Sequence, residues 1–303
     1  MDRNELAIAR AVIYASLFDY PLTLEQLRET LISTSLTSDE ILATCHASRA
    51  LGSIVEHREG FFFTTGSSAL IGERRRREAR SREFLRRHAR TLRWICALPF
   101  TRMVALSGSI AHLNLEEGGD LDLFIVTRGR TVWTVTVAAI VLTRLLGARR
   151  VVCANFVMSD EHLTIEQQDL FTANQVIHLK PLIGREVFEG FVAANPFVQR
   201  FYPKRPATPH ADVALLPGTM LKRLKRVCEA ALALPSPAIE AVCRRAYTWH
   251  LRRRSVSWRS PDQVRLDADY LKLHTQSHRR SVLEQFEERV DEALERSERA
   301  AIA

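Results

Sequence analysis

Cysteine is scarce in this sequence: Cys45, Cys96, Cys153, Cys228 and Cys243 are odd in number, widely spaced and outside any Cys-x-x-Cys or Cys/His cluster. That pattern argues against a disulfide framework and a zinc site alike, and it fits a reducing cytoplasm. Long apolar runs are missing too. The longest, Thr131 to Leu146, is 16 residues interrupted by four threonines and Arg144. It is short for a membrane span and reads as a buried helix, so no membrane partner is expected. "MDRNELAIAR" lacks a basic start followed by a long apolar stretch, so no secretory signal is expected either. No Walker loop, Gly-x-Ser-x-Gly elbow, His-Glu-x-x-His pair or internal repeat occurs. Lysine is absent from residues 1 to 66, where nine acids stand against five arginines, a local charge near −4.

The chain does have enough apolar material to bury a sizeable core: 303 residues, 46% hydrophobic, with a formal charge of +8. Most of the positive excess is local. Between Glu73 and Arg93 ten arginines face three glutamates, so this segment alone carries +7. Leu85, Ala89 and Leu92 form one apolar stripe there, which predicts a connecting helix with a solvated basic face; the sharper reading is a basic rim for phosphates.

Before that helix, Leu6 to Phe18 has helical periodicity, Thr23 opens a second helix, and Thr37 with Glu40 makes a capping box for a third. "SIVEHREGFFFTT" then alternates and turns at Arg58-Glu59-Gly60, as a hairpin does. Three helices and a hairpin resemble a winged helix. Its third helix offers mainly Asp39, Glu40, His46 and Arg49, which disfavours DNA binding by residues 1 to 66.

From Met103 the grammar becomes alternating: strand 103 to 107, a Gly-Ser turn, a short helix, strand 121 to 127, helix 131 to 146 and strand 150 to 158. "LFTANQVIHLKPL" looks helical and stops at Pro181. Beyond a linker bearing Pro203, Pro206, Pro209 and Pro217, helices are expected near 219 to 234, 238 to 255 and 279 to 297. Asp120 and Asp122 stand two apart on a predicted strand, so both side chains leave one face while Leu121 and Leu123 point into the core. An aspartate in a buried strand is costly unless a charge waits for it. Two carboxylates at a strand start can cradle one or two magnesium ions, which prefer hard oxygen ligands and share them with phosphates. Gly108 and Ser109 supply the complementary half: close backbone approach, helix amides and a hydroxyl for phosphate oxygens.

"VALSGS", ten residues and "DLDL" together match the signature of the nucleotidyltransferase superfamily to which DNA polymerase beta belongs: an apolar strand, Gly-[Gly/Ser], nine to thirteen residues, then Asp-apolar-[Asp/Glu]-apolar. The resemblance spans roughly residues 100 to 160, and "DLFTANQ" and "LKLHTQSHRR" look like segments of its uncharacterised bacterial members. It implies an α+β fold built on a nucleotidyltransferase-type mixed sheet. The organisation expected is a winged-helix-like module (1–70), a basic connecting helix (71–98), a nucleotidyltransferase core (99–185) and a helical C-terminal domain (186–303). The resemblance also implies a mechanism: Asp120 and Asp122 hold two Mg2+ ions, Gly108 and Ser109 bind the phosphates of an NTP, and a nucleoside monophosphate passes to an unidentified acceptor, a small molecule, RNA or protein.

A third carboxylate normally completes such a site, and here the chain departs from the pattern. "RRVVCANFVMSDEHL" offers Cys153, Asn155 and Val157 on one face by period-two counting, and Asn155 aligns with the third position. Asparagine cannot take a proton near neutral pH. Three outcomes stay open: the acceptor is already acidic or activated, Asp160 or Glu161 reaches in, or turnover is impaired. The alternative class is therefore a catalytically impaired protein of the same fold, acting as a nucleotide-binding or DNA-associated regulatory module. His112 reads as an ordinary surface or core histidine, Glu116 and Glu117 as loop residues, Trp133 as core, and His274, His278, Arg279 and Arg280 as a solvated helix start.

Overall fold

The computed structural model describes residues 1–204, 215–274 and 277–302; Pro206 and Pro209 of the linker, and Thr275 and Gln276, lie outside them. At the N-terminus, α1 (Arg3–Ser16), β1 (Leu22–Thr23), α2 (Leu24–Glu29), α3 (Ser38–Ala47) and α4 (Arg49–Gly52) lead into the hairpin β2 (Val55–Arg58) and β3 (Phe61–Thr64). The predicted capping box is present, with Glu40 N donating to Thr37 Oγ1 and Thr37 N to Glu40 Oε2. Glu59 and Gly60 both have positive φ, 51° and 79°, as a two-residue type I′ turn requires. These strands make a three-stranded sheet in the order β1-β3-β2.

The connecting helix α5 (Leu70–Cys96) leads to a six-stranded mixed sheet. Its strands are β4 (Thr101–Leu106), β5 (Leu121–Thr127), β6 (Val152–Ser159), β7 (Lys180–Ile183), β8 (Val264–Leu266) and β9 (Tyr270–Leu273), in the order β7-β4-β5-β6-β9-β8. Among the described strands only β5 and β6 pair in parallel, bridged by α7 (Val132–Leu145). Between β4 and β5 lies the short α6 (Gly108–Ala111). α8 (Leu170–His178), α9 (Arg185–Ala193) and α10 (Phe197–Phe201) follow β6 and β7, and α11 (Thr219–Leu232), α12 (Ser236–Arg254) and α13 (Arg279–Ile302) make up most of the C-terminal half. The fold is α+β with a mixed sheet.

Each sheet face has its own core. Val104, Leu123, Ile125 and Val157 pack with Leu92 and Ile95 of α5 and Trp133 of α7. The opposite face presents Ala105, Phe124, Val126, Phe156 and Met158 to a cluster continuous with Ile8 and Val12 of α1, Phe191 of α9 and Phe286 of α13. The N-terminal module therefore shares its core with the face from which Asp122 projects.

Three expectations change. Helix α8 ends at His178, and "KPLI" is not its tail but the edge strand β7; an edge is where a strand tolerates proline's missing N–H. Residues 186–303 are not helical throughout, because Val264–Leu266 and Tyr270–Leu273 return to the sheet beside β6. Finally, a register shift between β5 and β6 follows the Asp122–Cys153 pair. It breaks the alternation, so Cys153 and Phe156 share the Asp122 side and Val157 turns to the other core.

Candidate functional site

The site begins where β4 ends. Leu106 pairs with Leu123, and Ser107 N donates to Asp122 O at 3.0 Å, so the ladder brings the bend that follows directly against the aspartate strand. Gly108 has φ +63°, and a Cβ there would lie 2.4 Å from Asp122 Oδ2. Glycine is favoured here by the left-handed φ, and any side chain would push the Asp122 carboxylate aside.

The excursion from Ile110 to Gly119 is held in place by α1 and α5. Leu115 N donates to Ser81 Oγ at 3.0 Å, Arg80 Nη1 to Leu115 O at 3.0 Å, and Asn114 Nδ2 to Phe18 O at 2.9 Å. Glu116 and Glu117 pair with Arg77 and Arg80. The arginines of α5 are spent largely on such contacts: Arg74 pairs with Glu78, Arg75 with Glu59, Arg76 with Glu73 and Arg82 with Glu78. Among the residues lining the cavity at Asp120 and Asp122 there is no arginine of α5, so this helix does not rim that cavity.

Asp120, Asp122 and Cys153 place one ligand atom each within 4.8 Å of one another. Cys153 Sγ donates to Asp120 Oδ2 at 3.1 Å, and Asn155 Nδ2 donates to Asp122 Oδ1 at 2.7 Å. When Asp122 is ionised its carboxylate only accepts, and the asparagine turns its amide N–H toward it. Burial, then the charge of Asp120, push the Asp122 carboxyl up to about 7 against the opposing pull of Asn155. Burial and the same acids push the Cys153 thiol up to about 12. Sulfur is thus a protonated donor here, and the two carboxylates are the groups able to hold a hard cation.

Asn155 stands at the third position. Asp160 and Glu161 do not reach in: β5 and β6 run parallel, and these acids follow the far end of β6. There Asp160 Oδ1 accepts from Gly129 N at 2.7 Å and Oδ2 lies 3.6 Å from Arg102.

Asp120, Asp122, Gly108, Ser109 and Asn155 line a cavity of about 650 Å³. Lys272, His274, His278 and Arg279 form another part of its wall, so the segment expected to be a solvated helix start faces the aspartates' cavity instead; only Arg280 stays outside it, 80% exposed beside Asp262. Lys272 was not legible as a site residue, because the strand that carries it, β9, falls between the helices expected at 238 to 255 and 279 to 297 and has no assigned element there. Lys272 Nζ donates to Gln167 and Gln263, and burial, then Arg279 and Arg265, bring its ammonium down to about 8. Arg279 pairs with Asp169, whose Oδ1 caps α8 by accepting from Thr172 N at 2.8 Å. "DLFTANQ" and "LKLHTQSHRR" therefore meet in space through an ion pair. His112, in contrast, is half-buried against His178 outside this cavity, and Trp133 is fully buried, as read from sequence.

Known proteins do not name this arrangement. No family model matches the chain, and neither a curated protein nor a solved structure does. Among the described residues, no helix is long and apolar enough to cross a membrane.

Proposed function

We propose that this protein is a magnesium-dependent nucleotidyltransferase that moves a nucleoside monophosphate from an NTP to the hydroxyl or similar group of an acceptor. One observation carries the reading: the Gly108–Ser109 bend and the acidic pair, separated in sequence by ten residues, close on each other until a Cβ at Gly108 would lie 2.4 Å from the Asp122 carboxylate. Asp120 and Asp122 would hold Mg2+. Two adjacent carboxylates, one with its pKa raised first by burial and then by the other's charge, are a donor set suited to a divalent cation. When bound, the metal offsets the charge that develops as the phosphorus is attacked.

The chain's own residues do the rest. Gly108 and Ser109 bind phosphate oxygens, and Lys272 and Arg279 supply positive charge on the same cavity wall. The acceptor oxygen forms a bond to the α-phosphorus, the bond to the β-phosphate oxygen breaks, and pyrophosphate leaves. Asn155 orients Asp122 and takes no proton, so the acceptor's proton goes to solvent or the acceptor enters already acidic.

Asn155 also favours the second reading, a protein that binds nucleotide without turnover and serves a regulatory or DNA-associated role. The helix and hairpin order of residues 1–66 supports a winged-helix-like module, although exposed Asp39 and Glu40 on α3 oppose duplex contact. Incubation with α-labelled nucleotides and a lysate of RNA, proteins and small molecules separates the two. Transfer of label that vanishes in Asp120→Ala/Asp122→Ala supports the transferase, whereas nucleotide binding without transfer supports the regulatory reading.

A further inference from the structure

Beside the Gly108–Ser109 bend is a second, smaller cavity of about 160 Å³, where α1, α6 and α8 meet. Among the described residues its wall contains no Asp, Glu, Lys or Arg. Flat rings supply much of the lining, from Tyr14, Phe18, Tyr20, Phe171 and Tyr202. Its two imidazoles, His112 and His178, lie against each other with centroids 4.0 Å apart and planes tilted by 35°. Burial pushes both below the ordinary histidine range, His178 to about 4, so neither carries charge at neutral pH.

Two side chains of this wall keep a buried polar atom without a partner among the described residues: Tyr14 Oη and Asn114 Oδ1. The residues are only 4% and 6% exposed. Because Asn114 Nδ2 is already committed to Phe18 O, the orphan atom is fixed as an acceptor. An unpaired buried polar group costs about 1–3 kcal/mol, and such groups are rare unless something unseen satisfies them. A hydroxyl and a carbonyl oxygen together accept one N–H and offer one O–H. In scale, a cavity of about 150 Å³ admits a single benzene ring.

We propose that this cavity binds an uncharged, nucleobase-sized heteroaromatic ring, packed against the aromatic side chains and read at its polar edge by Tyr14 Oη and Asn114 Oδ1, separately from the polyphosphate cradle. The uncharged wall excludes phosphorylated forms from the cavity itself. Its ligand is a free base or a ring of similar chemistry, and this reading stands whether or not the larger cavity transfers nucleotides. Because Phe18, Gly108, Ser109, Phe171 and Gln175 line both cavities, the two are neighbours and an occupant of the smaller one touches the bend.

Uracil is the probe, titrated into the full chain by calorimetry and by ligand-observed NMR, with benzoate as a charged ring of similar size. Tyr14→Phe removes only an unpartnered hydroxyl and so leaves the fold intact, while Ala15→Leu fills the cavity. The proposal expects uracil to bind, to bind about tenfold more weakly to Tyr14→Phe, to lose binding to Ala15→Leu, and to bind Asp120→Ala/Asp122→Ala as it binds the parent. Should Ala15→Leu fail to fold, Tyr14→Phe and the double aspartate variant decide. Absence of uracil binding at millimolar concentration, binding indifferent to Tyr14→Phe, equal binding of benzoate, or loss of uracil in the double aspartate variant would each overturn it.

Discussion

At the scale of single residues, the site rests on an electrostatic conflict. Asp122 is pressed between burial, a like charge at Asp120 and a glycine that leaves room for nothing else. Its folded pKa, about 7, stands above the ordinary 3.8, so without metal the folded state prefers the protonated form. The stability this contributes is complete below pH 4 and is lost as pH rises through 7. Asp122→Asn removes the titration. In chelator, chemical denaturation should show the variant gaining on the parent across that interval, by about 2 to 4 kcal/mol in all; a constant difference from pH 4 to 8 would contradict the conflict. The acidic pair and the bend were legible in sequence because glycine, serine and aspartate at this spacing have few other uses in an apolar strand. The role of Asn155 was legible only as a position. Its hydrogen bond to Asp122 depends on a register shift that period-two counting does not contain.

At the scale of elements, local signals read well and tertiary ones did not. The Thr37–Glu40 box, the Glu59–Gly60 turn and the apolar stripe of α5 all arise from residues within a few positions of one another. The strands β8 and β9 escaped because they are three and four residues long and charged along one side; the sheet they complete, rather than their own sequence, makes them strands. The N-terminus of α7 is a further case. Glu240, from α12 and 8% exposed, accepts from Trp133 N at 2.9 Å and from Thr134 N at 2.7 Å. A carboxylate more than a hundred residues away thus does the work of a local cap. Glu240→Ala is expected to lower stability by about 2–3 kcal/mol, read as a shift in the denaturation midpoint. A cost within experimental error would mean that water replaces the carboxylate.

At the scale of the whole molecule, the sequence suggested modules in a row, but one core cluster joins the first of them to the sheet. Tyr20 makes the junction polar as well as apolar. Its hydroxyl donates to His112 O at 2.9 Å and accepts from Gln26 Nε2 at 3.0 Å and Arg74 Nη2 at 2.9 Å. Tyr20→Phe leaves Arg74, 3% exposed, without that partner, at an expected cost of about 1–3 kcal/mol. Differential scanning calorimetry should show the parent unfolding in one transition and the variant shifting or splitting it. Independent transitions in the parent would contradict a shared core. No segment of sequence announces this packing, since the apolar residues of α1 read equally well as the core of a free-standing module.

The cradle itself is tested most directly by calorimetric titration of ATP, CTP, GTP and UTP into the full chain, with and without magnesium. At least one nucleotide should bind only when the metal is present, and Asp120→Ala/Asp122→Ala should abolish that binding while the protein stays folded. Binding that ignores magnesium, or that survives unchanged in the double variant, would contradict the account.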